Sequence, residues 1–124
     1  MAGPDPLAVF DALYRATCDE RDAPAAVALW ATDADITMWG SDEDERATGP
    51  EEVQALLEAV AASPNDLGFE WEDMNARVEG DVAWVNARGT LWVNGESSPY
   101  RVTAVLVLRS GGWLWHTHSG SEPN

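Results

Sequence analysis

Residues 98–119, SPYRVTAVLVLRSGGWLWHTHS, constrain this chain more than any other stretch. From Tyr100 to Leu108 nearly every residue is β-branched, aromatic or aliphatic, and Ser110-Gly111-Gly112 then offers residues that tolerate φ > 0. The pattern predicts two antiparallel strands joined by a tight turn. Strand side chains alternate, so Arg101, Thr103, Val105, Val107 and Arg109 share one face, and Tyr100, Val102, Ala104, Leu106 and Leu108 the other. Both sets contain apolar residues. This predicts a strand covered on both sides, by helices on one and by a partner subunit or more sheet on the other. Function is expected where polar groups interrupt the run, at Arg101, Thr103, His116 and His118.

The same period of two marks Phe69 to Val78 and Val82 to Val93 as strands, set off by Glu79-Gly80-Asp81 and Asn94-Gly95. Ahead of them the period is helical. Asp5-Pro6 reads as a helix start, with Leu7, Phe10, Leu13, Tyr14 and Cys18 on one stripe over residues 6–20. Asp22 and Pro24 start a second, shorter helix, Ala25 to Trp30, expected to stop near Thr32-Asp33, and Ile36 to Trp39 alternate as a short strand. In TGPEEVQALLEAVAAS, Thr48 and Glu51 stand at capping-box spacing and Val53, Leu56, Leu57 and Val60 form an apolar stripe. Helix, helix, strand, helix and four strands predict an α+β fold. Three N-terminal helices pack in the concave face of a strongly curved, mainly antiparallel sheet, leaving a cone with an opening. No repeat or linker interrupts the chain, so residues 1–124 are read as a single domain.

Composition limits the partners. The chain has 22 acidic residues against seven arginines and no lysine, a formal charge of −15, which excludes nucleic acid and an anionic membrane as partners. Its single cysteine, Cys18, has no disulfide partner, and a reactive thiol would need an activating base beside it. With no leader-like segment and no long apolar run, the expected location is the cytoplasm. Seven tryptophans are many for 124 residues, and such rings fill cores, line apolar pockets and anchor interfaces.

In element order and in three motifs, WGSDEDERATGPEEVQALLEA, YRVTAVLVLRSGGW and HTHSGSEP, the chain resembles the nuclear transport factor 2 superfamily, and specifically its SnoaL-like branch. The terminal HTHS also resembles the association domain of calcium/calmodulin-dependent kinase II. The resemblance implies a cystatin-like cone, and leaves the chemistry open, because the superfamily holds isomerases, epoxide hydrolases, cyclases, dehydratases and non-catalytic association modules. Similarity to ketosteroid isomerase implies a tyrosine on the first helix, where Tyr14 stands, and places Gly40 where a carboxylate base is expected. Similarity to limonene epoxide hydrolases implies an Asp-Arg-Asp set; Arg88 or Arg101 is the arginine candidate, and Asp73 is the only acidic residue well inside a late strand whose facing is open, so no aspartate pair is placed.

The pocket is expected to draw on Tyr14, Trp30, Trp39, Trp84, Arg88, Arg101, Thr103, His116 and His118. His116-x-His118 puts two imidazoles on one strand face, an arrangement metal sites use, yet no third ligand has a distinctive spacing, so no metal and no cofactor is expected. The acidic loop Ser41 to Glu45 lacks the glycine and terminal glutamate of a calcium loop. Arg101, Thr103 and His118 are expected to converge on the pocket's polar end. The expected function is binding of a small organic molecule bearing an anionic or carbonyl group, by a homodimer formed through the outer sheet face. The alternatives are a non-catalytic association module, and an isomerase, cyclase or hydrolase acting on a small apolar carbonyl or epoxide.

Overall fold

Asp5 caps the first helix, its carboxylate accepting from the Leu7 N–H at 3.0 Å, and Pro6 occupies the first turn, where its missing N–H costs nothing. The computed structural model describes residues 5–40 and 45–122. Helix α1 (Pro6–Tyr14) continues directly into a π-helical turn (Arg15–Asp19), so the single helix expected over residues 6–20 has two windings in series. Asp22 caps α2 (Ala23–Ala28) by accepting from the Ala25 N–H at 3.1 Å. Between them Arg21 adopts φ 54°. Its guanidinium donates to the carbonyls of Cys18 at 3.0 Å, Ser63 at 2.8 Å and Asn65 at 2.6 Å. One side chain thereby ties the π turn to the chain that leaves α3 (Pro50–Ala61).

Strand β1 (Thr37–Trp39) pairs antiparallel with β2 (Arg46–Thr48). Three residues hold too little alternation for β2 to stand out in the sequence. Its presence also moves the helix start. Thr48 lies in the ladder opposite Thr37, so Gly49, at φ 85°, takes the cap position of α3. Glu52, and not the expected Glu51, reaches back to accept from the Thr48 N–H at 3.0 Å. The acidic loop weighed as a calcium site falls, Glu45 apart, outside the described residues.

Four long strands follow: β3 (Leu67–Glu79), β4 (Val82–Val93), β5 (Glu96–Arg109) and β6 (Gly112–Ser121). The sheet order is β2-β1-β6-β5-β4-β3, and only β1 and β6 run parallel. Asn94 and Gly95, and Ser110 and Gly111, all sit at positive φ, as two-residue hairpin turns that match strand twist require. The expected α+β cone is therefore the fold. Its inner wall is Ala83, Val85 and Ala87 of β4 with Tyr100, Val102, Ala104 and Leu106 of β5, all buried against Phe10 and Leu13 of α1 and Val53 and Leu57 of α3.

The closed end of the cone is aromatic. Trp115 is fully buried, with Phe10 stacked on one side at 5.2 Å between ring centroids and Trp30 on the other at 5.6 Å. Its indole N–H donates to the Val9 carbonyl at 3.2 Å. Phe10, Tyr14, Phe69, Trp71 and Tyr100 continue the aromatic packing toward the open end. Among the described residues no helix is long and apolar enough to cross a membrane.

Candidate functional site

A cavity of about 530 Å³ opens between the helices and the concave sheet face. α1 and the π turn contribute Leu13, Tyr14, Thr17 and Cys18; α3 contributes Leu56 and Val60; the sheet contributes Phe69, Leu91, Tyr100 and His118. The larger part of this wall is apolar, and its buried polar groups are set among those apolar side chains. The Tyr14 hydroxyl is buried and has no hydrogen-bond partner. Burial, with Tyr100 and Cys18 nearby, pushes its pKa well above the ordinary phenol value, which keeps it a neutral O–H donor. Thr17 has its donor engaged, its hydroxyl bonding the Leu13 carbonyl at 2.9 Å. Burial raises the Cys18 pKa, so its sulfur remains a thiol, in line with a packing role.

His118 is the second polar feature. Its Nδ1 lies 3.0 Å from the Trp39 carbonyl, and because that oxygen can only accept, Nδ1 must carry the proton. Nε2 is left as a lone-pair acceptor. Burial lowers the imidazole pKa to about 4, so the ring is neutral at ordinary pH. Its ring centroid lies 6.1 Å from that of Tyr14.

A β-bulge explains why His118 faces inward and His116 does not. Leu106 pairs with Trp115 and Val105 pairs with Thr117, so His116 is an extra residue without a partner on β5. Trp115 and His118 therefore both point into the cone, three residues apart, and the expected shared face of His116 and His118 is corrected. His116 instead bonds Thr117 at 2.8 Å and Asp35 at 3.1 Å. Asp33, Asp35 and His116 bring their ligand-type atoms within 4.8 Å of one another, with Asp33 also paired to Arg109 at 2.9 Å.

The expected convergence of Arg101 and Thr103 with His118 is also corrected. Ala104 is the residue opposite His118, so its neighbours Thr103 and Arg101, set back by odd steps, lie on the other face of β5. There they line an open groove of about 690 Å³ on the outer face with Asn86, Arg88 and Asp73. Thr103 donates to Asn86 at 3.1 Å, and Arg88 forms an ion pair with Asp73, so the Asp-Arg-Asp set implied by epoxide hydrolases is not assembled in the cavity. Trp84 faces outward beside them and is 38% exposed. Trp39, 45% exposed with Arg46 over its ring, gives the cavity only the carbonyl that holds His118. Trp30 lies beneath the floor, behind Trp115. Of the nine expected pocket residues, the cavity holds Tyr14 and His118.

The sequence reading missed Glu45. A side chain on Gly40 would place its Cβ 3.0 Å from the Glu45 Cδ, so the Glu45 carboxyl group fills the space that Gly40 leaves open. The Gly40 N–H donates to the Glu45 carbonyl at 2.7 Å and holds the two residues together. The pairing spans a hairpin that five residues of separation alone do not reveal.

A six-stranded sheet curled around helices, closed by tryptophan at one end and holding a lined cavity at the other, defines a cone-fold protein of the cystatin-like type. The chain belongs to the SnoaL-like domain family, whose model matches residues 7–123. No curated protein sequence matches it. Among solved structures it is similar to a candidate dehydratase of the NTF2-like family from Streptomyces avermitilis, 21% identical over 94% of this chain and 92% of that one, with a TM-score of 0.84. It is also similar to a candidate calcium/calmodulin-dependent protein kinase type II association domain from Thiobacillus denitrificans, 21% identical over 100% and 99% of the two chains, with a TM-score of 0.78. A candidate scytalone dehydratase from Novosphingobium aromaticivorans aligns at 11% identity over 95% and 85%, with a TM-score of 0.75. At these identities the likeness speaks to fold.

Proposed function

We propose that the protein binds a compact, mostly apolar organic molecule inside the cone, with the Tyr14 hydroxyl donating to a carbonyl oxygen of the ligand. His118 Nε2 accepts from a donor beside it. The observation that carries this is the buried Tyr14 hydroxyl without a partner. Leaving such a group unsatisfied costs about 1–3 kcal/mol, and phenylalanine would fill the same space without that cost. A hydroxyl kept there, at the wall of a cavity, is supplied with its partner by a ligand. Tyr14→Phe is therefore expected to leave stability unchanged or raised, and to weaken binding of the neutral ketone acetonaphthone about tenfold, the size of one hydrogen bond. Titration calorimetry measures the second effect and urea unfolding the first. Full retention of ketone binding by the variant would sink the assignment.

The outer face supports the second reading, that of an association surface. Trp84 and Trp92 are exposed on it, flanking the groove side chains, on a face that no helix among the described residues covers. A second copy of the chain is the proposed cover, giving a homodimer. Light scattering at low micromolar concentration is expected to return twice the chain mass, and a monomer there would remove the sheet-face interface.

A further inference from the structure

We infer that the inner cavity selects its ligand by charge, favouring an apolar amine over its neutral analogue and turning away the corresponding carboxylate. This rests on the binding role proposed above and adds the chemical class of the ligand. Its basis is the placement of the arginine side chains. The chain has seven arginines and no lysine, and every arginine is among the described residues. None of them lines the cavity. Arg88 and Arg101 lie in the groove on the opposite face of the sheet. Arg21 is the one tied to the cavity's rim, and its guanidinium is directed at the backbone carbonyls of Cys18, Ser63 and Asn65. Arg15, Arg77 and Arg109 pair with Asp11, Glu79 and Asp33, and Arg46 covers the outer side of Trp39.

Negative charge, by contrast, is present at the cavity. Glu45 and Glu122 are the charged residues that line it, Glu45 half-buried and Glu122 exposed, which puts both at the open end. The net charge of −15 adds a field of the same sign around the whole molecule. A carboxylate entering the cone would give up its water, meet no arginine among the described lining residues and approach two like charges. An ammonium group left at the mouth meets those carboxylates while the apolar body of the ligand fills the wall of Leu56, Phe69 and Leu91. His118 does not change the balance, since its buried ring is neutral at ordinary pH.

Acetonaphthone, naphthoate and an acetonaphthone carrying an aminomethyl group each offer Tyr14 an oxygen on the same ring system and differ in charge, so their affinities for the intact protein test the selection by calorimetry in low salt. Naphthoate is expected to bind at least about tenfold more weakly than the ketone, and the ammonium compound more tightly. The double variant Glu45→Gln, Glu122→Gln is expected to narrow that spread. Naphthoate binding as tightly as the ketone would overturn the charge selection, and a spread left whole in the double variant would overturn the role of the two glutamates. Failure of all three compounds to bind would instead bring down the cavity's binding role, on which the selection depends.

Discussion

Replacing Trp115 with alanine is expected to remove about 3–5 kcal/mol of folding stability, the range for truncating a large buried aromatic residue. Three contributions add at this position. The ring is fully buried, so its whole apolar area returns to water or becomes void on truncation. It is stacked between Phe10 and Trp30, so both of those rings lose a packed neighbour. Its N–H satisfies the Val9 carbonyl, which would lose that donor. The residue also connects parts of the chain through its backbone, its N–H reaching the Leu29 carbonyl at 2.8 Å and its carbonyl the Ala31 N–H at 2.9 Å. Those bonds survive the substitution, which keeps the variant foldable and the measurement meaningful. The change is read from urea midpoints at a constant m-value, and a loss under about 1 kcal/mol would show that the floor of the cone is not load-sharing as described.

Acidification is expected to cost about 3 kcal/mol through His118 alone. The sign follows from where the proton binds. The unfolded histidine titrates near its ordinary 6.5, whereas burial lowers the folded value to about 4. Between those limits the unfolded chain holds more protons, so stability rises with pH. The contribution is complete above the unfolded value and is lost as pH falls toward the folded one. Carboxylates titrate in the lower part of the same window, so the test is a difference. Wild type and His118→Gln are compared by urea unfolding from about pH 7 to about pH 4, where the wild-type profile should fall more steeply. Parallel profiles would mean that His118 accepts its proton as readily folded as unfolded, and that it is not buried as the structure has it.

How far the sequence carried depends on which residues were asked. Asn94-Gly95 and Ser110-Gly111 stated their turns outright, because few other residues accept positive φ at both positions. The two faces of β5 were equally plain, but not which of them faced inward. Val105 and Val107 on one side resemble Val102 and Leu106 on the other, and only the position of α1 and α3 breaks the tie. Arg101 and Thr103 were placed inside on the expectation that polar interruptions mark a pocket. The cavity's polar character comes instead from Tyr14, implied by the family resemblance, from His118 on β6, and from Glu45, which the short β1–β2 hairpin brings beside Gly40. Close range in sequence made the helices and hairpins legible. Pairings across the bulge and the short hairpin depend on tertiary geometry and were not.

The extra residue in β6 sets where that strand can change length. Because side chains alternate with a period of two, adding or removing one residue elsewhere in the paired part of β6 would send everything on one side of the change to the opposite face. His118 would trade places with its neighbours, and Gly120, whose missing side chain leaves room for the Tyr100 hydroxyl, would be displaced from it. At His116 the ladder already carries an unpaired residue. Deleting it there regularises the strand and keeps Trp115 and His118 facing inward. Among the described ladder positions of β6, His116 is thus the one where the chain can lose a residue while the inner surface of the cone stays in phase.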